Sequence, residues 1–413
     1  MKQGFCFIFP FYLSKKSMIR KAYKYRIYPN TEQKVFFAKC FGCVRFFYNK
    51  SLSDMNEIYK STGKFKSITP ASYKKDYPFL KEVDSLALCN AQLNRNTAFK
   101  NFFSHKSSFP KFKSKRNDQS YTTNNQGSVK FSSNNRYISI PKCPRIRIKK
   151  HRDFVGMIKS ITVSQTTDNK YYISLLVESK IKPLKESNKI VGLDLGLKSL
   201  IIDSNGHKYK NHKYLSKSQK KLAKEQRKLS KMVKGSNNRN KQRIKVAKLH
   251  RHIQNQRNDY LHKLSKKIID ENQIICIESL LVKDMMNDSK LARNISDASW
   301  SRFVSMLLYK ASWYDRKIIK VPSAYPSSQL CSLCGYQNKE VKNLKIRKWT
   351  CPKCGSVHDR DINAAKNILS KGIEILTKDG THPDSLFMLG SLESSSKKPS
   401  LLYEVRPKSW TCF

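Results

Sequence analysis

The chain has 413 residues, long enough for two or three domains. It carries 82 Lys plus Arg against 30 Asp plus Glu, a formal net charge of +52. Such a surface repels itself unless a polyanion is near, which excludes an ordinary metabolic enzyme as the default and makes nucleic acid the expected partner. Hydrophobic residues make up 39% and aromatics 11% of the chain, enough to build cores, so a wholly disordered basic chain is excluded too.

Residues 1–17 open with the apolar run Gly4–Leu13, and a second Met follows at Met18. We read them as an extension ahead of the natural start at Met18, with a disordered or docked tail and a short signal-peptide core as the alternatives. No run of about 18 apolar residues is present, so no membrane span is expected. The charge argues for an intracellular protein, nucleoid-associated in a bacterial host or nuclear in a eukaryotic one.

Residues 22–29 (AYKYRIYP) alternate apolar with basic and predict a half-buried strand with a cationic outer face. Thr31 then reads as the N-cap of a helix running to about Tyr59, with Val35, Phe36, Cys40, Val44, Phe47 and Leu52 as its apolar stripe. A second helix is expected over Ser85–Phe103. Cys40 and Cys43 stand inside an apolar helical run without a second pair, which favours core thiols over a metal or redox site. Beyond Phe109 come short strand-like runs at 128–132, 136–140, 145–150, 156–165 and 171–179, separated by turn residues. With the first strand they predict a small β-barrel over 18–182, carrying a helical insertion at about 31–105.

KIVGLDLG at 189–196 opens a second domain as a buried strand, and LKSLIIDSNG continues it as a hairpin. Residues 213–251 hold 15 Lys or Arg and one acid, Glu225, around a thin apolar seam broken near Gly235. They predict a helical hairpin with a cationic exterior. A buried strand at 273–280, an amphipathic helix at 300–317, a strand at 318–323 and a helix at 361–373 follow. From 376 to 413 the text is Ser- and turn-rich, a mobile tail.

Cys331, Cys334, Cys351 and Cys354 form two C-x-x-C pairs 16 residues apart, each followed by glycine, Gly335 or Gly355. Two such knuckles predict a structural zinc held by four thiolates, with no open position for catalysis. Lys342, Lys345, Arg347, Lys348 and Trp349 between the pairs suggest a knob that faces nucleic acid or braces a subdomain.

Three carboxylates stand out by context. Asp194 lies inside an apolar strand, Glu278 ends another, and Asp361 opens a helix just behind the second knuckle. An ionised acid in such a place needs a partner or a metal. Each also has a plainer reading: a turn residue, a satisfied buried acid, a helix cap. Together they suit a site for Mg²⁺ or Mn²⁺. Asp203 reads as the entry to a turn, and Asp359 as a capping or supporting residue.

These motifs resemble the TnpB family of bacterial insertion sequences, related to type V CRISPR effectors and to the Fanzor proteins. The resemblance rests on IRKAYKYRIYPN, FPKFKSKRNDQSY, IPKCPRIRIKKHR, VGLDLGLKSLIIDSNG, ICIESL, SSQLCSLCGY and CPKCGSVHDRDINAAKNIL, from Met18 to about Leu369. It implies an α/β and β multi-domain protein. A wedge barrel with a helical recognition insertion would precede a RuvC-like nuclease of RNase H fold at 188–375, with a zinc ribbon inserted at 328–357. It further implies Asp194, Glu278 and Asp361 as the catalytic, Mg- or Mn-binding residues, Zn as structural cofactor, and a guide RNA from the element end plus double-stranded target DNA as partners. The expected activity is guide-RNA-directed DNA cleavage. The rivals are a nuclease-inactive RNA- and DNA-binding regulator and a conventional DNA transposase.

Overall fold

The computed structural model describes residues 18–65, 67–180 and 183–378. The extension at 1–17 and nearly all of the expected tail, 379–413, lie outside the described residues. The chain divides into two compact units. One takes residues up to 181 together with Leu222–Arg251; the other takes Lys182–Lys221 and the chain from His252 onward.

In the first unit, strand β1 (Met18–Tyr28) is central. Helix α1 (Thr31–Thr62) follows it. Its cap is Asn30, one residue before the expected Thr31. The Asn30 side chain accepts from Gln33 N at 2.8 Å while Gln33 Oε1 accepts from Asn30 N, a reciprocal pair that satisfies two end donors. Gly63 closes the helix at φ 66°, in the left-handed region that favours glycine. A short helix α2 (Pro70–Tyr73) and helix α3 (Ser85–Phe103), capped by Asp84, complete the insertion.

Six strands follow: β2 (Gln119–Asn124), β3 (Lys130–Phe131), β4 (Tyr137–Ile140), β5 (Cys143–Lys149), β6 (Met157–Gln165) and β7 (Tyr171–Lys180). With β1 they form an antiparallel sheet ordered β2-β6-β7-β1-β5-β4-β3. Hydrogen bonding does not close it into the expected barrel: among the described residues no ladder joins β2 to β3. Tyr121, Ile138, Ile146, Ile161 and Ile173 from across the sheet share one core with Phe37, Phe41, Phe47 and Leu88 from the helices. Apolar contact, rather than a closed ladder, joins these elements.

The second unit opens with β8 (Ile190–Leu195), β9 (Ser199–Asp203) and β10 (Lys208–Lys210). Helices α4 (Tyr214–Ser230) and α5 (Asn237–Glu271) run through both units. Strand β11 (Ile274–Glu278), helices α6 (Val282–Met285), α7 (Ser289–Ala298) and α8 (Trp300–Tyr314), and strand β12 (Lys317–Val321) come next. A hairpin of β13 (Lys348–Thr350) and β14 (Val357–Asp359) leads into helix α9 (Arg360–Lys378). This helix runs five residues past the expected end at 373 and overlaps the segment read as tail.

The sheet order is β10-β9-β8-β11-β12, with β8, β11 and β12 mutually parallel and the other pairs antiparallel. Strands buried on both faces read as unbroken apolar runs, which is why IVGLDL and IICIE lack alternation. One face packs Val191, Leu193, Ile275 and Ile277 against Leu264 and Ile268 of α5 and Phe303 and Leu307 of α8. The other packs Ile274, Cys276, Ile319 and Val321 against Ile368 and Leu376 of α9.

Candidate metal centres

The two cysteine knuckles share one backbone plan. Gly335 N donates to Cys331 O at 2.9 Å, and Gly355 N donates to Cys351 O at 2.9 Å. Both glycines sit at positive φ, 74° and 70°, where a Cβ would be strained. This turn brings the four Sγ atoms within 4.8 Å of one another. Cys331 Sγ is 3.7 Å from Cys354 Sγ, and Cys334 Sγ is 3.6 Å from Cys351 Sγ. A tetrahedral zinc with bonds of about 2.3 Å has ligand–ligand edges of about 3.8 Å, so the cluster fits such an ion. Among the described residues, Val341, Trp349 and the partly buried Ile346 pack with the cysteines as one small core. Trp349 is therefore part of the ribbon's interior, while Lys342, Lys345, Arg347 and Lys348 are exposed.

The ribbon is fastened to α9 by two asparagines that sequence reading passed over. Asn363 Nδ2 donates to Leu330 O at 2.6 Å, and its Oδ1 accepts from Ser332 N at 2.9 Å. Asn367 Nδ2 donates to Ser327 O at 2.8 Å and to Leu330 O at 2.7 Å. Their signal was present: two amides one turn apart on the apolar face of DINAAKNIL.

The carboxylates are placed by the sheet and α9. A Cβ built on Gly192 would come within 2.2 Å of Ala365 O, so α9 lies directly on the β8 backbone. Alternation puts Asp194 on the same face as Gly192, while Val191, Leu193 and Leu195 face the opposite core. Glu278 lies one residue past the paired rung Ile277↔Leu193, beside Asp194 on the parallel neighbour. It shares the α9 face with Cys276, whose Sγ a Cβ on Gly372 would approach to 2.2 Å. Asp361 stands one helical turn before Ala365, toward the Asp194 end of β8. All three acids are half-buried.

The electrostatics agree. Asp194 is pushed up to about 7, first by burial and then by the charges of Asp361 and Glu278, with Arg360 opposing. Burial also pushes Glu278 up. Arg347 Nη1 donates to Asp361 Oδ1 at 3.3 Å. Among the described residues only the cysteine set meets the 4.8 Å spacing of a single-ion cluster; the carboxylates stand wider.

The neighbouring acids have structural duties. Asp359 Oδ1 accepts from Asp361 N at 3.1 Å and Ile362 N at 3.2 Å, capping α9, and its Oδ2 takes Lys208 Nζ at 2.6 Å. Asp203 Oδ1 accepts from Asn205 N and His207 N, a side-chain-closed turn. Cys40 and Cys43 are buried helix residues, and burial pushes the Cys40 thiol up to about 12. In the cationic pair α4–α5, Arg239 Nη1 donates to Leu229 O and Met232 O, both at 2.7 Å, tying the two helices at their connection. No helix among the described residues is long and apolar enough to cross a membrane.

The class defined here is a multi-domain α/β protein that carries a four-cysteine cluster of zinc-site geometry. The same fold occurs in the solved "Cas12f1-sgRNA-target DNA complex", with a TM-score of 0.54 at 15% identity, covering 85% of this chain and 98% of that one. Residues 163–288 match the family model "Probable transposase", OrfB_IS605 type, and residues 300–368 match the "Cas12f1-like, TNB domain". Residues 18–64 match a model described as a helix-turn-helix domain, but here they form one strand and one unbroken helix. A "Putative RNA-guided DNA endonuclease" of Streptomyces pristinaespiralis is 38% identical over 86% of this chain and 90% of its own length. The "Putative RNA-guided DNA endonuclease InsQ" of Escherichia coli K12 is 34% identical over 86% of this chain and 93% of its own. The chain belongs to the TnpB family of transposase-associated proteins.

Proposed function

We propose that this protein is a guide-RNA-directed, divalent-metal-dependent DNA endonuclease encoded by a transposable element. The observation that carries the reading is the seating of α9 on Gly192, which gathers Asp361 to the strand ends that hold Asp194 and Glu278. Three antiparallel strands followed by two parallel ones support a RuvC-like, RNase H-type nuclease over 188–375. The seven-stranded sheet with α1–α3 inserted supports a wedge-type domain with a recognition insertion.

Asp194, Glu278 and Asp361 would hold Mg²⁺ or Mn²⁺; burial first, and then the charges of Asp361 and Glu278, raise Asp194 to about 7, and a bound cation would offset both. Bound there, two ions about 3.5–4 Å apart would activate water and stabilise the leaving oxygen of a phosphodiester. The other residues position the acids. Asp359 fixes the first turn of α9, Lys208 fixes Asp359, and Arg347 orients Asp361. The four cysteines would carry structural zinc. A charge of +52 suits a long guide RNA and its heteroduplex with target DNA, contacted through phosphates.

The test is plasmid cleavage by wild type and Asp194→Ala, each with the element-end RNA and Mg²⁺. We expect RNA-dependent cutting by the wild type alone. RNA and DNA binding without cutting by the wild type would favour a regulator; strand joining without RNA would favour a conventional transposase.

A further inference from the structure

His358 belongs to none of the roles above, yet it touches the cysteine cluster and stands three residues before Asp361 in the chain. It is 8% exposed and is the cross-strand partner of Trp349, with ring centroids 4.9 Å apart. Its Nε2 is 3.1 Å from Cys331 Sγ and 2.7 Å from Ser356 Oγ. Ser356 Oγ in turn lies 3.0 Å from Cys354 Sγ. A sulfur that binds a metal is a thiolate and can only accept hydrogen bonds. A lone pair on Nε2 facing that sulfur would repel it, so the proton sits on Nε2. That N–H is shared by Cys331 Sγ and Ser356 Oγ, and the Ser356 hydroxyl is left to donate to Cys354 Sγ. One imidazole thus supports two of the four thiolates.

The same short run fixes the nuclease side. From His358 the chain passes through Asp359, which caps α9, and Arg360, whose N donates to Arg347 O at 2.9 Å. Asp361 comes next. We infer that His358 is a positioning residue: it donates to the ribbon's thiolates, strengthens their hold on the metal, and anchors the segment that presents Asp361. The Asp361 half rests on the proposed nuclease reading; the metal half does not.

The experiment compares full-length wild type, His358→Gln and His358→Leu. Gln keeps an N–H donor near the Nε2 position; Leu fills similar space without one. Zinc retention is read by competition with a chromophoric chelator, and Co²⁺ replaces zinc to read the thiolate-to-metal charge-transfer band. Partners of this kind typically change metal affinity roughly 10–100-fold. We expect Leu to lose affinity in that range and shift the cobalt band to lower energy, with Gln recovering most of both. Equal losses in Gln and Leu would reduce His358 to packing and overturn the inference, as would a Leu variant with unchanged affinity and spectrum. Cleavage at saturating zinc is measured alongside. If the metal effects appear while cleavage is absent in every form, including wild type, the nuclease reading fails and the thiolate role stands.

Discussion

The seating of α9 on β8 can be tested with one methyl group. In Gly192→Ala the new Cβ would lie 2.2 Å from Ala365 O and 2.8 Å from both Leu369 Cβ and Leu369 N. Two of those atoms are backbone, so no side-chain rotation relieves the clash, and α9 must move by roughly 1 Å to restore ordinary contact. Overpacking of this kind costs about 1–3 kcal/mol. Because Asp361 is one turn away on the same rigid helix, it moves too, and a 1 Å misplacement can cost about 10²-fold in rate. Gly372→Ala is the control on the same helix: its Cβ meets Cys276 Sγ at 2.2 Å and Cys276 Cβ at 2.7 Å, both side-chain atoms that Cys276→Gly removes. Urea denaturation and guided cleavage are measured for all variants. We expect both to fall in Gly192→Ala, and part of the stability lost in Gly372→Ala to return in the double variant with Cys276→Gly. A Gly192→Ala protein with native stability and cleavage would refute the close approach, and with it the placement of Asp361.

Three further outcomes follow from the packing. Lys310 is 5% exposed, and burial lowers its ammonium to about 8, although Nζ donates to His262 O at 2.6 Å and Ser265 Oγ at 2.8 Å. The unfolded chain therefore holds more protons between about pH 8 and 10.5, so this group makes stability rise with pH across that window. Lys310→Met should remove that rise and leave stability at pH 7 equal or higher, checked by denaturant melts at pH 7 and 9.5. Arg251 and Asp168 form a buried ion pair whose acid side chain is fully covered. Arg251→Met should destabilise in urea toward the low end of about 3–5 kcal/mol, because the buried Asp168 loses its close cation and keeps Thr166 Oγ1 and the more distant Lys170 Nζ, and Asp168→Asn added to it should recover part of the loss. Cys334→Ser removes one of four ligands, so bound zinc per chain should fall well below one by elemental analysis, with native content arguing against the cluster.

Much of this architecture could be read from the text because its signals are local. The helix over Ser85–Phe103 matches its predicted span, and the two knuckles announce their geometry through spacing and glycine alone. Strand β2 (QSYTTN) was missed because its inward residues are Tyr121 and Thr123, and Thr123 is buried by donating to Asp84, a partner far away in the chain. Helix α7 was missed because its stripe is short and interrupted by charges. The carboxylates were singled out by polar type in apolar surroundings, but their juxtaposition depends on a parallel register and on a helix crossing at Gly192, neither of which leaves a local trace. His358 was silent for the same reason: a single imidazole gains meaning only once two distant cysteines arrive beside it.

Helix α9 also has a consequence for the order of synthesis. Asp194 and Asp361 are far apart in the chain, and the third acid of the site rides on the last described element. At about 5–20 residues per second, translation separates their emergence by roughly ten to thirty seconds. Within that interval the cationic helices α4 and α5 are made, ahead of the group that completes the acid cluster. The cationic surface is thereby made before the acid cluster is complete.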